Sequence, residues 1–190
     1  DFIITTIGQM NFLVKVNGMI DLVKGFEKAL IDLKEANIDH RKYKLFLIGK
    51  GKYQNKLEKV VNSSDYKNQI FLTGYVDSIS DYLMISDFFG LTSYIEGFPT
   101  VLLEAMQYNL PAIATDVGEN YRIVLNSELL VQKGDIQGIK KSLIHVLKNK
   151  EVLKKLKKKA TKTLPQFSWQ NLGRRLRFLF LLIIIGHRTD

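Results

Sequence analysis

Hydrophobic and polar positions follow two different periods along the chain. Short apolar runs of strand length occupy residues 2–7, 44–48, 69–73, 87–92, 111–115 and 128–131. Apolar residues between the first two runs recur at three- and four-residue steps, as an amphipathic helix requires. They are Met19, Leu22, Val23, Phe26, Ala29, Leu30 and Leu33. The same helical period recurs at Ile136, Ile139, Leu143 and Val146. Strands alternating with helices predict a Rossmann-like, doubly wound α/β domain with a parallel sheet of about six strands.

The composition is that of a folded domain: 46% of the 190 residues are hydrophobic and 25% are charged. These values argue against a disordered chain and against an integral membrane protein. The chain has no cysteine and only three scattered histidines. Disulfides and thiolate metal sites are therefore excluded, no metal site is expected, and a reducing cytoplasmic location is predicted. The first strand begins at the second residue, so we interpret the chain as part of a longer protein.

The formal net charge of +9 is concentrated in one short segment. The excess comes from Lys148, Lys150, Lys154, Lys155, Lys157, Lys158, Lys159 and Lys162. Leu153, Leu156 and Ala160 would share one helical face there, which favours a solvated amphipathic helix. A second interpretation is peripheral attraction to the anionic inner face of the membrane. Because the rest of the chain is nearly balanced in charge, nucleic-acid binding is not predicted.

The loops that follow the predicted strands are the places to seek a ligand site, because open parallel sheets bind ligands beyond the carboxyl ends of their strands. Gly8 ends the first strand, and the fourth strand runs into residues 93–100. Pro99 suits the first position of a helix, and Phe98 before it is a poor N-cap. The first-turn N–H groups then remain open to an anion or to water, and Gly97 permits close approach of a diphosphate.

Two glutamates flank this predicted helix start. Glu96 precedes the helix, and Glu104 lies in its second turn among apolar residues. A carboxylate in such surroundings needs a partner, either ribose hydroxyls or a salt bridge. A glycosidase-like acid/base pair is a less favoured alternative. The nearby segment Gly49, Lys50, Gly51 lacks the third glycine and the acidic residue of a dinucleotide fingerprint, so we interpret it as a tight turn in the cleft floor.

At these positions the sequence resembles glycosyltransferase family 4, the glycosyl transferases group 1. The resemblance is collinear over most of the chain and rests on "LFLIGKGKYQNKLEKVV", "IFLTGYV" and "SYIEGFPTVLLEAMQYNLPAIATDVGENYRIV". Glu96 and Glu104, with seven residues between them, match the paired-glutamate motif of that family. The segment "FSWQNL" resembles the family's closing motif.

The resemblance implies a two-lobed GT-B enzyme that transfers a sugar, with retention of configuration, from a nucleotide diphosphate sugar to a glycan or lipid. A UDP-sugar is the first choice of donor, and neither a metal nor another cofactor is implied. Residues 1–164 would form the donor lobe, and residues 165–190 a helical tail packed on an N-terminal lobe. By itself the chain is expected to be inactive as a transferase.

Residue roles follow from the motif positions. Glu104 would bind the ribose. Glu96, the predicted catalytic residue, would bind the donor sugar, and Tyr75 and Val76 would contact the base. The full predicted donor-binding set is Gly8, Lys15, Gly74, Tyr75, Val76, Glu96, Gly97, Phe98, Pro99, Thr100, Leu103 and Glu104.

Some positions depart from the family pattern. Gln9 and Asn17 stand where the family usually places an arginine and a lysine, and Lys15 is the predicted replacement for the missing charge. Asn109 stands in place of a glycine and is expected to adopt a left-handed conformation. The departures keep open a non-catalytic nucleotide-sugar-binding or interaction module. A GT-B sugar-nucleotide epimerase is a further alternative. The paired glutamates favour a transferase over an epimerase.

Overall fold

The computed structural model describes residues 1–124 and 126–167. The strands are β1 (Phe2–Ile7), β2 (Tyr43–Ile48), β3 (Ile70–Gly74), β4 (Phe88–Leu91), β5 (Ala112–Thr115) and β6 (Leu130–Val131). The α-helices are α1 (Leu13–Glu35), α2 (Gln54–Asn62), α3 (Ile79–Ile85), α4 (Thr100–Gln107), α5 (Asn120–Ile123), α6 (Ile136–Leu147) and α7 (Lys150–Thr163). Short 3₁₀ helices occur at Lys67–Gln69, Ser127–Leu129 and Leu164–Phe167.

The six strands form one parallel sheet in the order β3-β2-β1-β4-β5-β6. The chain builds the sheet outward from β1 in one direction and then returns to β4 on the other side of β1. The carboxyl ends of β1 and β4 therefore flank a crevice where the connections diverge to opposite faces. The predicted Rossmann-like, doubly wound α/β fold is confirmed.

Apolar layers cover both faces of the sheet because neighbouring residues of a strand point to opposite sides. In β4, Phe88 belongs to the layer beneath α1 and α6, whereas Phe89 belongs to the layer beneath α4. The apolar positions predicted for the first helix are all buried in α1, with Phe26 and Leu22 fully enclosed. Each large apolar side chain buried in this way stabilises the fold by about 1.5–3 kcal/mol relative to an exposed one.

Local hydrogen bonds shift some predicted boundaries. The strand predicted at 128–131 begins only at Leu130, because the preceding residues form a 3₁₀ helix and the Asn126 side chain accepts from Glu128 N at 3.1 Å. Helix α4 begins at Thr100, so Pro99 is its N-cap residue rather than its first helical residue. The left-handed conformation predicted for Asn109 is confirmed by its φ of 59°.

The lysine-rich segment forms α7 with the predicted apolar face. Leu156 and Ala160 are buried, and Lys157 pairs with Asp87 at 3.3 Å. Leu164 and Phe167 continue onto the apolar layer under α4. Across residues 1–124 and 126–167 no helix has the length and apolar character needed to cross a membrane. The remainder of the predicted tail, residues 168–190, lies outside the described residues.

Candidate functional site

A cleft of about 680 Å³ opens at the carboxyl ends of β1 and β4. Its volume lies within the range of roughly 300–1,000 Å³ usual for small-molecule sites. Its wall includes these members of the predicted donor-binding set: Gly8, Lys15, Tyr75, Val76, Glu96, Phe98, Pro99, Thr100 and Glu104. The fold thus brings together loops that are far apart in the sequence.

Three predicted residues are not part of the cleft wall. Gly74 ends β3, and its carbonyl accepts from Gly49 N at 2.9 Å. Gly97 is exposed between Glu96 and Phe98, with open space where a side chain would be. Leu103 packs against the apolar layer under α4, because it points toward the body of the domain.

Glu96 and Lys15, which both line the cleft, form an ion pair. The Lys15 ammonium lies 3.2 Å from Glu96 Oε1 and donates to Oε2 at 3.3 Å. The Glu96 side chain is only 9% exposed, against 31% for Lys15. Its Oε1 has the ionic contact but accepts no hydrogen bond among the described residues. Glu96 thus lines the cleft with a buried oxygen that still lacks the hydrogen-bond donor a carboxylate oxygen requires.

The Glu96 loop is held against α1 by two tight contacts. Thr92 Oγ1 donates to Gly18 O at 2.7 Å, and a Cβ at Gly18 would collide with the Thr92 carbonyl. Only glycine lets the helix approach the strand end this closely. Gly18 lies about one helical turn after Lys15 in α1. The contact at Gly18 therefore holds the Lys15 end of the helix beside the loop that carries Glu96.

A partly buried hydrogen bond holds the same loop to a later turn of α1. Tyr94 OH donates to Asp21 Oδ2 at 2.7 Å, and Tyr94 N donates to Val14 O at 3.2 Å. Burial raises the pKa of the Asp21 carboxyl, although the Tyr94 hydrogen bond opposes the change. The hydrogen bond to Asp21 in turn raises the pKa of Tyr94 to about 12. The pair therefore keeps its proton on Tyr94 at neutral pH.

Helix α4 starts at the cleft without a side-chain cap, as predicted. Two of the first-turn N–H groups that were expected to stay open bond to backbone carbonyls instead: Thr100 N donates to Phe98 O at 3.0 Å, and Leu102 N donates to Pro99 O at 3.1 Å. The positive end of the helix dipole points toward the cleft, equivalent to about half an elementary charge. Glu104, one turn into the helix, lines the same wall and is half-buried.

The segment after β2 forms the opposite side of the floor. Gly49 and Lys50 line the cleft, as do Gln9 and Asn11 from the loop after β1. The sequence analysis interpreted residues 49–51 as a tight turn in the cleft floor; Gly49 and Lys50 do line the cleft, but the sequence analysis did not single out Lys50. A signal was available, since Lys50 lies just beyond Gly49 in the loop that follows a strand ending at the ligand edge of the sheet.

A second cavity, of about 370 Å³, lies beside β6 and α6. Its polar groups already contact one another: His145 Nε2 lies 3.1 Å from Glu128 Oε2, and Ser142 Oγ donates to Glu128 O at 2.6 Å. Within the described part of the chain, no cluster of three or more histidine, aspartate or glutamate side chains is placed to hold a metal ion. The cleft at β1 and β4 remains the candidate site.

The sheet order and the cleft at its switch point define a Rossmann-like domain with a ligand site at the carboxyl ends of its strands. Residues 2–163 match the sequence profile of the glycosyl transferases group 1. The chain belongs to this family.

Curated relatives are glycosyltransferases of greater length. The chain is 30% identical over 128 residues to the uncharacterized glycosyltransferase MJ1059 of Methanocaldococcus jannaschii, covering 67% of this chain and 29% of that protein. It is 28% identical over 148 residues to the N-acetyl-alpha-D-glucosaminyl L-malate synthase of Bacillus anthracis, covering 77% and 37%. The chain therefore spans less than half the length of these relatives.

The fold is similar to that of solved glycosyltransferase structures. The Anabaena protein Alr3699/HepE in complex with UDP superposes with a TM-score of 0.74 at 16% identity, over 95% of this chain and 48% of that protein. At this level of identity the similarity concerns the fold alone.

Proposed function

We propose that the chain is the donor-binding lobe of a retaining glycosyltransferase that moves a sugar from a nucleotide diphosphate sugar to a glycan or lipid acceptor. The observation that carries this proposal is the buried Glu96 carboxylate. It is paired with Lys15, has one oxygen without a hydrogen bond, and shares a cleft wall with Glu104. A polyhydroxyl ligand with a diphosphate supplies both the donors that the carboxylates need and the anion that the helix start attracts.

Each part of the cleft has a place in this proposal. The Glu96 oxygen without a hydrogen bond accepts from a hydroxyl of the donor sugar, and Glu104 accepts from the ribose hydroxyls. The backbone at Pro99 and Thr100 faces the diphosphate. When the sugar is transferred, the leaving nucleoside diphosphate gains negative charge, and the α4 dipole stabilises that charge because it is fixed in advance.

The base would lie near Tyr75 and Val76 at the end of β3. Tyr75 is 73% exposed and lines the cleft, so its ring is available for contact with a planar base. UDP is the first nucleotide to test because the similarly folded Anabaena protein was solved with UDP. The acceptor would bind between this lobe and an opposing lobe, which would also exclude water from the reacting atoms.

A binding screen tests the proposal. Calorimetric titration of the purified protein with UDP, GDP, ADP and the corresponding UDP- and GDP-sugars should show binding to one nucleotide class. The nucleoside diphosphate should bind more tightly than its nucleoside. If none of the nucleoside diphosphates binds, a donor-lobe function is refuted.

One observation favours a second candidate function, that of a non-catalytic nucleotide-sugar-binding module. Gln9 lines the cleft with a neutral amide, at the position where the family usually places an arginine. Asn17, the other departure, is not part of the cleft wall, so it weakens a transferase function less. The two candidates differ when the chain is assayed as part of its full-length protein. Donor binding without sugar transfer or donor hydrolysis would favour the module.

A further inference from the structure

The charged side chains of the cleft wall are balanced. Two lysines, Lys15 and Lys50, face two glutamates, Glu96 and Glu104. Lys15 is already compensated, since its ammonium lies 3.2 Å from Glu96 Oε1. Lys50 is exposed and forms no ion pair with any described residue. Lys50 is therefore the cleft cation whose charge is free for a ligand.

The backbone of Lys50 is held rigidly beside the loop after β1. Met10 N donates to Lys50 O at 3.2 Å, and Tyr53 N donates to Met10 O at 2.9 Å. Gly49 has a φ of 139°, and a Cβ there would collide with the Gly8 carbonyl. These contacts fix the base of the Lys50 side chain next to Gln9, so only its flexible stem must be ordered by a ligand.

We propose that Lys50 is the diphosphate-binding cation of this lobe, and that it supplies from the β2–α2 loop the charge that Gln9 does not. Lys15 then acts mainly on Glu96, whose carboxylate it holds in place through the ion pair. This assignment rests on the proposed donor-binding function and names one residue within it. A diphosphate facing both Lys50 and the start of α4 is contacted from two sides of the cleft.

The test compares Lys50→Met with Lys52→Met by calorimetric titration with UDP and with uridine. Lys52 is a matched control because it is exposed in the same turn, does not line the cleft, and lies 5.4 Å from the ring centroid of Tyr53. Methionine keeps an unbranched apolar stem and removes the charge. We expect Lys50→Met to weaken UDP binding about tenfold or more, since charge-assisted contacts are strong, and to leave uridine binding unchanged.

Two further arms make the result specific. Lys50→Arg should restore most of the UDP affinity, and raising the salt concentration should narrow the gap between wild type and Lys50→Met. Lys52→Met should bind both ligands as wild type does. Equal urea midpoints for all variants would show that the fold is intact, as expected for exposed side chains.

Three outcomes overturn the proposal in distinguishable ways. Unchanged UDP affinity in Lys50→Met removes Lys50 from the diphosphate site and leaves the donor-binding function standing. An equal loss of UDP and uridine affinity shows that Lys50 shapes the cleft rather than binding phosphate. Failure of the wild-type protein to bind any nucleoside diphosphate refutes the donor-binding function itself, and Lys50's role with it.

Discussion

Replacing Lys15 with methionine should destabilise the folded protein, because the substitution leaves the Glu96 carboxylate without its cation. The Glu96 side chain is 9% exposed, so water can solvate little of it. Nothing else among the described residues donates a hydrogen bond to Oε1. The variant therefore leaves a poorly solvated carboxylate with no cation beside it.

The size of the effect follows from the geometry. Unit charges separated by the observed 3.2 Å attract by about 5 kcal/mol at an effective dielectric constant of ~20 and by about 1.3 kcal/mol in bulk water. Because Lys15 is 31% exposed, the screened end of this range applies. We expect Lys15→Met to lower the free energy of unfolding by about 1–2 kcal/mol. Glu96→Gln should cost less than about 1 kcal/mol, since a neutral amide tolerates the site without a cation.

A double-mutant cycle measured by urea denaturation isolates the interaction. Wild type, both single variants and the double variant are compared at neutral pH. The double variant should be more stable than the sum of the single effects predicts, with a coupling energy of about 1 kcal/mol. Strictly additive effects would show that the pair contributes nothing and that Glu96 does not depend on Lys15.

Three further predictions concern the cleft and its anchor. Glu104→Gln should weaken nucleotide binding by about tenfold or more, from the loss of a charge-assisted hydrogen bond; unchanged affinity in a folded variant would reject the ribose assignment. Gly97→Ala should leave the melting temperature unchanged, because the added methyl meets no protein atom within 4 Å. Because Gly97 is not part of the cleft wall, the same methyl should leave nucleotide-sugar affinity unchanged, and a severalfold loss would show that the ligand lies over Gly97. Tyr94→Phe should cost about 1–3 kcal/mol at neutral pH, because buried Asp21 loses its donor. The folded-state pKa of Tyr94 is raised to about 12. The stability that the Tyr94–Asp21 hydrogen bond contributes is therefore fully present below about pH 10, the pKa of tyrosine in the unfolded chain. It is lost as the pH rises through the folded-state pKa of Tyr94. The stability gap between wild type and Tyr94→Phe should narrow from pH 10 to 12 in chemical denaturation, and a constant gap would contradict the sign.

The fold was predictable because its signals are local. The strand runs and the α1 period depend only on neighbouring residues, and burial of Leu22 and Phe26 confirms the predicted face. The boundaries of the elements were less predictable. Glu128 lies in a 3₁₀ helix because the side chain of Asn126 accepts a hydrogen bond from its N–H. A single hydrogen bond of this kind overrides a weak strand signal.

The arrangement of the site was harder to derive, because its contacts join distant parts of the chain. Lys15 and Glu96 are separated by 81 positions, and Asp21 and Tyr94 by 73. The sequence indicated that Lys15 and Glu96 were each candidate site residues, but not that they form an ion pair. Leu103 was placed in the donor-binding set by motif position, whereas its side chain packs into the core. Only the rotation of α4 about its axis determines which residues face the ligand.

The glycine contacts between the loops have a thermodynamic consequence. At Gly18 helix α1 lies backbone against backbone on the residue after β4, and at Gly49 the loop after β2 does the same on the end of β1, with no side chain between them. A ligand that enters therefore meets main-chain groups that are already ordered, so binding costs little conformational entropy of the protein backbone. The entropy lost on binding is instead that of the ligand and of the Lys15 and Lys50 side chains. Binding should consequently show the small heat-capacity change of a preformed site rather than the large one of coupled folding.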